Sequence, residues 1–580
     1  YASNASWSDD LNTIYKKAPW DCLKKYQNTL STSPEILSNA LAVYFDAMRQ
    51  IEKIYTYAHL KHDLDLSNSE NQALYDQATS LYYFFSAQTS WFDVEIVQFS
   101  DETMQKYLQS PVLKNYKRYL KQIVRMKPYT LSEKEEKLLS QAGKSMSTSS
   151  QSFSALSDID IQFPTAMDSN GKEYQLSHGL YYVYTHSKDP ILRKNTYINF
   201  HKRYGEYQNT FANLLSGQIE NHKFIAEAKG YSDCLEAALY PRDIPKSVYL
   251  NLIDSAKSNL KPLHKYATLR KYFLNLNQVH IYDLYAPVIK DYSFEPSYEE
   301  SKRLVLESVK PLGKQYQKDL EKGLNQKGWV DPFEAPNKRS GGYSSGCYDT
   351  DPYILMNYHS SFNDMMTLAH ECGHSMHSLY SRNNQLYHEA DYPIFVAEVA
   401  STFNEQLLYN KLLKEAKNDQ QRLAILIKMV DGIHATFFRQ TLFAEFELFL
   451  HSSVEQGKPL PAQVLKEKYL DLYKEYYGPD IILDDVIGYE WSRIPHFYYN
   501  YYVYQYATGI AAAVHLFKEI DAGKSPEDYL NFLRSGNSKD PIDLLKGAGV
   551  DMTSSEPIIS LINYFDSLLD QIIEIAMKNK

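Results

Sequence analysis

Apolar residues recur three or four positions apart through long stretches of this 580-residue sequence. That spacing places them on one face of an α-helix, which must be buried against another element of the fold. The stretch 36–60 shows the pattern at Leu37, Leu41, Tyr44, Met48, Ile51 and Tyr55. Just before it, Ser33, Pro34 and Glu35 supply a capping hydroxyl, an early proline and an early acid. We therefore predict a helix that begins at this point.

Helix-breaking residues are sparse, with 22 glycines and 23 prolines in the whole chain. The stretch 250–273 has a second helical pattern, and Pro262 lies inside it. A proline in a helix interior removes a backbone hydrogen bond, so we expect it to kink or divide this helix. Strand signals are few, and the predicted fold class is therefore mainly α.

A possible hairpin near residue 170 interrupts the helical patterns. The dipeptide Asn170-Gly171 suits a tight turn, and short apolar runs flank it at 161–163 and 174–176. We predict a domain boundary close to this hairpin, with an N-terminal helical domain at 1–180 and a second helical domain at 181–580. One continuous helical body with the hairpin inserted is the alternative.

Composition excludes several classes of protein. Hydrophobic residues are 44% and charged residues 23%, as in globular proteins and unlike disordered chains. The net charge is −10, from 61 basic and 71 acidic residues, so no strong basic field is available to hold nucleic acid. The stretch 497–517 is the nearest to a membrane span, but Asn500, Gln505 and His515 make it too polar.

Cysteine usage indicates the redox compartment. The four cysteines are scattered through the chain at Cys22, Cys234, Cys347 and Cys372. They have no pairing pattern, which argues against a disulfide framework and favours a reducing, cytoplasmic environment.

Residues 370–374 read His-Glu-Cys-Gly-His, an H-E-x-x-H motif. Positions four apart share a helix face, so His370 and His374 are predicted to hold one Zn²⁺ through their ring nitrogens. Glu371 lies beside them, where it can take a proton from a metal-bound water. Cys372 points elsewhere on the helix and is predicted to be a packed thiol.

A catalytic zinc usually takes three protein ligands, so a third ligand is needed. Four downstream acids are candidates, namely Glu389, Asp391, Glu398 and Glu405. Glu398 is favoured because it lies in an apolar helical run, where an unpaired carboxylate would be unfavourable. Glu405, two turns further along, is predicted to lie behind a ligand or at the surface. His377 is a possible third ligand, although we prefer to interpret it as a nearby cleft histidine.

A second group of polar aromatic residues begins at His496. Pro495 predicts that a helix starts near this histidine. On such a helix, Tyr501 and Tyr504 share one face. The other face carries Tyr499, Tyr502 and Tyr506. Hydroxyl donors aimed at a developing oxyanion would assist hydrolysis, whereas aromatic packing throughout is the alternative.

A Gly/Ser-rich segment at 340–346 precedes a short apolar run at 353–358. Glycine lets such a loop approach a ligand closely, and the run is predicted to be a strand. A strand at a sheet edge could pair with an extended peptide. An ordinary surface loop followed by a buried strand is the alternative.

The sequence resembles oligoendopeptidase F, in the thimet-oligopeptidase-like group of zinc metallopeptidases. The likeness covers nearly the whole chain and is most specific from about 340 to 510. The matching stretches are Asp283-Leu-Tyr-Ala-Pro287, Tyr353-Ile-Leu-Met-Asn-Tyr358, Thr367-Leu-Ala-His-Glu-Cys-Gly-His374 with His377, Phe395-Val-Ala-Glu-Val-Ala-Ser-Thr402 and Ile494-Pro-His-Phe-Tyr-Tyr499.

The resemblance implies a mainly helical, two-lobed peptidase around a deep substrate channel, with a small β-element near the active site. It implies one zinc ion per chain on His370, His374 and Glu398, with Glu371 as the base. It also implies that 181–580 is the catalytic domain.

The same resemblance implies that His496 and nearby tyrosines assist at the scissile carbonyl. Related enzymes carry a Tyr-Tyr-Gly-Tyr run whose last tyrosine faces the oxyanion. The run 501–504 is similar to it, which points to Tyr504, with Tyr501 on its face. The relatives place a longer Gly-rich loop after the histidine than this chain does.

We therefore expect a zinc-dependent endopeptidase that cuts internal bonds of short oligopeptides. Two alternatives stay open: a metallocarboxypeptidase of similar helical fold, and a helical peptide-binding protein without turnover. The expected partners are oligopeptide substrates, with no nucleic acid and no membrane. The expected location is the cytoplasm, and the oligomeric state is not predicted.

Overall fold

The structure is a computed structural model that describes residues 1–289 and 294–578. Helices α1 to α27 of this part are Asn4–Lys17, Pro19–Lys24, Pro34–Leu64, Ser69–Thr89, Trp91–Val97, Asp101–Gln109, Lys117–Met126, Glu133–Met146, Thr148–Ser154, His178–Thr185, Pro190–Glu206, Gln208–Lys229, Cys234–Leu239, Lys246–Lys257, Lys261–Leu274, Tyr298–Ser308, Lys314–Asn325, Phe362–Asn384, Tyr387–Ala390, Ile394–Glu415, Asp419–Ile433, Arg439–Glu455, Ala462–Tyr477, Tyr504–Asp521, Glu527–Arg534, Pro541–Ala548 and Glu556–Lys578. Strands β1 to β7 are Thr165–Met167, Glu173–Gln175, Val279–His280, Val330–Asp331, Tyr343–Ser345, Tyr353–Leu355 and Ile481–Ile482. The predicted fold class, mainly α with small β-elements, is confirmed.

The helix predicted from apolar spacing at 36–60 is confirmed as α3. The Ser33 side chain accepts a hydrogen bond from the Ile36 backbone N–H, and Pro34 occupies the first turn. Leu37 is among the side chains that the apolar face of α3 buries. Local capping chemistry and a continuous apolar face thus act together to define this long helix.

The division predicted at Pro262 is also confirmed. Helix α14 ends at Lys257, and α15 begins at Lys261 with Pro262 in its first turn. Proline is tolerated there because the first backbone N–H groups of a helix have no partner within the helix.

The predicted hairpin is present, with strands slightly displaced from the predicted runs. Strands β1 and β2 are antiparallel and pair Ala166 with Tyr174. Gly171 in the turn has a φ of +82°, a conformation that glycine adopts without a steric penalty.

Strands β3 and β7 form a short parallel pair, and a third β-element is a three-stranded sheet in the order β4-β6-β5. Strand β6 is parallel to β4 and antiparallel to β5. The predicted strand at 353–358 is therefore the central strand, and the expectation that it offers a sheet edge to a peptide is wrong. The edge strand β5 forms within the Gly/Ser-rich segment predicted to be a loop, because its backbone finds hydrogen-bonding partners on β6.

Contacts divide the described chain into two compact units. The first unit contains Tyr1–Glu133, Phe294–Lys411 and Leu516–Val550. The second unit contains Lys134–Ser293, Leu412–His515 and Asp551–Lys580. Each unit is assembled from stretches distant in sequence, and the consecutive division at residue 180 stays a prediction. The first unit holds α18 and nearly all of α20, which carry the predicted metal ligands.

In the described part of the chain, no helix combines the length and apolarity that crossing a bilayer requires. All four cysteines are free thiols, in agreement with the prediction that they form no disulfide framework.

Candidate metal centre

Helix α18 carries the H-E-x-x-H motif. It begins with a capping box. The Ser361 hydroxyl accepts a hydrogen bond from the Asp364 backbone N–H, and the Asp364 carboxylate accepts one from the Ser361 backbone N–H. His370 and His374 lie one turn apart, with their ring centroids separated by 4.8 Å. The helical spacing alone therefore brings the two imidazoles together, as predicted.

The third predicted ligand, Glu398, comes from α20. One carboxylate oxygen of Glu398 lies 3.5 Å from Nε2 of His370 and 3.8 Å from Nε2 of His374. One ligand atom from each of the three residues falls within 4.8 Å of the other two. Ligands held about 2 Å from a tetrahedral zinc ion are roughly 3.4 Å apart, so these three side chains fit a zinc ion.

A close approach of α18 and α20 makes this convergence possible. A methyl group added at Gly373 would lie 2.5 Å from the backbone carbonyl oxygen of Ala400 and 2.6 Å from the Cα of Ser401. No real Cβ atom is accommodated at such distances, so only glycine fits at position 373, where α18 packs against the backbone of α20. The Asn404 side chain also donates to the Ala369 carbonyl at 3.3 Å and links the two helices.

We expect Gly373→Ala to weaken metal binding although it changes no ligand. The added methyl group pushes α20 away from α18, a type of overpacking that costs about 1–3 kcal/mol of stability. Zinc titration against a competing chelator and the melting temperature measure the two effects. Gly547→Ala is the control, because Gly547 lies on α26 with open space around it. Equal zinc affinity in wild type and Gly373→Ala would contradict the proposed helix contact.

Glu405 holds His370 from the side opposite Glu398. A Glu405 carboxylate oxygen accepts from Nδ1 of His370 at 2.5 Å, which leaves Nε2 of that ring to face Glu398. Burial opposes protonation of His370, but the hydrogen bond and charge of Glu405 raise its pKa to about 9. Burial, and then the neighbouring His370, lower the pKa of His374 to about 4. Glu405 therefore orients one ligand and increases its basicity.

We expect Glu405→Gln to weaken zinc binding by about 10-fold, since partners of this kind contribute roughly 10- to 100-fold to metal affinity. The amide retains an oxygen acceptor for His370 but removes the negative charge. Chelator competition measures the affinity. Glu415→Gln, at the exposed end of the same helix, controls for the loss of a charge on α20. Unchanged affinity in Glu405→Gln would show that His370 needs no charged partner.

Glu371 lies beside the two histidines and is 6% exposed. Burial raises its pKa to about 7; the charge of His370 lowers the pKa, Glu398 raises it, and a backbone hydrogen bond from Ser344 lowers it. Ser344 belongs to edge strand β5, and its hydroxyl lies 2.7 Å from the Ser375 hydroxyl on α18. The small β-element thus contacts α18, the helix that carries His370, Glu371 and His374.

The remaining residues near the motif do not join the ligand group. His377 is 1% exposed and stacks on Tyr392 with ring centroids 3.6 Å apart, and burial lowers its pKa to about 3. Cys372 is fully buried, as predicted for a packed thiol. Among the described residues, Glu389 and Asp391 form no part of a group that could hold a metal.

The second unit carries His496. A short 3₁₀ helix begins at Pro495, as predicted, but it ends at Tyr498, and helix α24 begins only at Tyr504. The expected single helix that would carry Tyr501 and Tyr504 on one face is therefore wrong. Asn500 and Tyr501 both have positive φ, at 43° and 53°, and they interrupt the helical path.

The predicted group of Tyr499, Tyr502 and Tyr506 nevertheless forms, without helical geometry. The rings of Tyr499, Tyr502 and Tyr506 surround His496 at centroid distances of 5.8–6.2 Å. Tyr501 is instead buried, stacked on His451, and its backbone N–H donates to the Glu447 carboxylate at 2.6 Å.

Tyr504 is buried in the same unit, with its ring against Tyr249. The roles predicted for His496, Tyr501 and Tyr504 stay predictions.

Sequence reasoning missed two features of the centre. The first is the contact of Glu405 with His370. Glu405 follows Glu398 by seven residues, so the spacing predicts that both lie on a similar face of one helix, but it does not indicate which residue of another helix Glu405 contacts. The backbone of Ser344 gave no signal at all, because a backbone hydrogen bond does not depend on the side chain present.

Two known protein families match this chain. Residues 183–564 match the family described as Peptidase family M3, and residues 95–163 match the one described as Oligopeptidase F. The chain is 44% identical over 583 residues to Oligopeptidase PepF of Bacillus subtilis, covering 100% of this chain and 87% of that protein. It is 36% identical to Group B oligopeptidase PepB of Streptococcus agalactiae, covering 100% and 96%.

A solved structure has the same fold. The crystal structure of oligoendopeptidase-F from Enterococcus faecium matches with a TM-score of 0.76 at 36% identity, and the match covers 99% of each chain. The resemblance inferred from the motifs is confirmed. The chain therefore belongs to peptidase family M3 and is a metallo-oligopeptidase of the oligoendopeptidase F group.

Proposed function

We propose that this chain is a zinc-dependent endopeptidase that hydrolyses internal peptide bonds of short oligopeptides. The observation that carries the proposal is the convergence of His370, His374 and Glu398 from two helices, with Glu371 beside them. Two imidazoles and one carboxylate are a common ligand set of catalytic zinc, with one position left for water or substrate. The names of the relatives, oligopeptidase and oligoendopeptidase, support the substrate class.

The three side chains would hold one zinc ion, which supplies Lewis-acid chemistry when bound. Glu371 accepts the proton of the attacking water and later delivers it to the leaving amine nitrogen. Glu405 holds the His370 ring in the orientation that presents Nε2. His374, one turn further along α18, and Glu398 from α20 supply the other two metal ligands.

His496 and the tyrosines near it are proposed to stabilise the oxyanion that forms at the scissile carbonyl. Tyr501 and Tyr504 are the predicted donors, and the family resemblance supports them. Replacing each tyrosine by phenylalanine removes only the hydroxyl. A loss of kcat without loss of zinc in Tyr504→Phe supports stabilisation of the oxyanion by the Tyr504 hydroxyl. The same measurement on Tyr502→Phe tests whether the hydroxyl of Tyr502, whose ring lies beside His496, stabilises it instead.

The proposed function is tested by metal analysis together with peptide hydrolysis. The purified chain is expected to contain one zinc per molecule and to cleave a fluorogenic peptide blocked at both ends. A chelator should abolish the activity, and added zinc should restore it. Cleavage restricted to peptides with a free C-terminus would identify a carboxypeptidase, and a zinc-loaded chain that binds peptides without cutting would refute the proposal.

Two further assignments are proposed on the same basis. The stretch 181–580 contains all three candidate ligands and is proposed to be the catalytic domain. The four free thiols support a reducing environment, and we propose that the enzyme acts in the cytoplasm.

A further inference from the structure

Asp63, near the end of α3, is a fully buried carboxylate outside the candidate metal centre. Its side chain has no solvent exposure. One oxygen lies 2.7 Å from Nε of Arg339, and the other accepts from the Tyr343 hydroxyl at 2.9 Å. Nε2 of His59 lies 3.2 Å from the second oxygen. A buried charge of this kind is stable only while its partners stay in place.

Backbone contacts join the end of α3 to the same segment. The Arg339 N–H donates to the Asp63 carbonyl at 2.9 Å, and the Leu66 N–H donates to the Asn337 carbonyl at 2.8 Å. On the other side, the Asn357 side chain donates to the carbonyls of Arg339 and Gly341. The segment 337–343 is therefore held between α3 and the residues after β6.

This segment leads directly into edge strand β5. Neighbouring side chains of a strand point to opposite faces, so Tyr343 reaches Asp63 while the Ser344 hydroxyl reaches Ser375 on α18. The backbone at the start of this strand also lies beside Glu371: a Cβ added at Gly342 would lie 4.0 Å from Oε1 of Glu371, and the Ser344 backbone lowers the pKa of that carboxyl. Consecutive residues of the chain, Tyr343 and Ser344, thus make the contact with Asp63 and the contact with the helix of the proposed base.

Strand β5 has few other restraints. It is three residues long and, among the described strands, pairs only with β6, because it lies at the edge of its sheet. Asn337 and Gly341, which precede it, have positive φ, at 61° and 86°. A short edge strand entered through such turns depends on side-chain contacts for its exact position.

We propose that Asp63 is a positioning residue for peptide hydrolysis, which holds Tyr343 and Arg339 so that Ser344 stays in contact with Glu371 and Ser375. The proposal rests on the proposed role of Glu371 as base. Small displacements of a catalytic group lower turnover strongly, by up to about 100-fold for a shift of about 1 Å. Loss of this restraint should therefore lower kcat more than it raises KM.

The test uses the full, zinc-loaded chain and an end-blocked fluorogenic peptide, with kcat expressed per bound zinc. Asp63→Asn is expected to lower kcat by about 10- to 100-fold, with KM and zinc content little changed. Tyr343→Phe removes a single hydroxyl, remains informative if Asp63→Asn does not fold, and should lower kcat by a smaller factor. Asp46→Asn is the control, because Asp46 is exposed on the same helix.

Two further measurements separate positioning from stability. The double variant should lose no more activity than Asp63→Asn alone, because both changes break one contact. Hydrogen exchange of the backbone amides at 337–345 should be faster in Asp63→Asn than in Asp46→Asn.

Unchanged kcat per bound zinc in Asp63→Asn and Tyr343→Phe would overturn the proposal. A lower melting temperature without a change in kcat would also overturn it, because a purely structural residue affects only folding. An inactive zinc-loaded wild type would refute the proposed function instead. In that case, unchanged amide exchange at 337–345 would still refute the positioning of the strand by Asp63.

Discussion

Glu371→Gln is expected to keep its zinc and to lose about 10²- to 10⁴-fold in kcat, the usual contribution of a general acid–base residue. Glutamine has nearly the same shape as glutamate but cannot take a proton from water. The ligands His370, His374 and Glu398 are unchanged, so the metal content should equal that of the wild type. Elemental analysis and hydrolysis of an end-blocked peptide measure the two quantities.

The matched control is Glu321→Gln, an exposed position on α17 in the same unit of the structure. This variant should keep wild-type kcat, which excludes a general effect of losing one negative charge. Normal turnover by Glu371→Gln, free of contaminating peptidase, would show that another group takes the proton. Loss of zinc from the variant would instead assign Glu371 to the ligand set.

Glu398→Gln is expected to lower zinc affinity by more than about 100-fold. Altering a residue that only orients a ligand already costs roughly 10- to 100-fold, and this change removes the charge of a ligand itself. Zinc at about 1,000 times its Kd adds about 4 kcal/mol to the stability of the folded wild type. The variant should lose most of that gain, so zinc should raise its melting temperature far less.

Glu389→Gln tests the competing assignment from sequence, since Glu389 was another candidate for the third ligand. It lies on α19 and belongs to no metal-binding group among the described residues, so its zinc affinity should stay at the wild-type value. Strong zinc binding by Glu398→Gln together with weak binding by Glu389→Gln would reverse the assignment.

Local sequence signals predicted the helices well. The cap at Ser33, the proline at Pro262 and the apolar spacing of α3 all act within a few residues of chain. The same locality explains where prediction failed. Strand β5 needs β6 as a partner, and the path at Asn500 and Tyr501 depends on positive backbone angles that side-chain spacing does not reveal.

The sequence by itself determined that His370 and His374 share a helix face, because four residues make about one helical turn, and it placed Glu371 beside them. Only the tertiary structure decided which distant carboxylate meets them. The contact at Gly373 brings α20 close enough for Glu398 to reach both histidines and for Glu405 to hold His370. Spacing along the chain describes one helix at a time, whereas this centre depends on the distance between two packed helices.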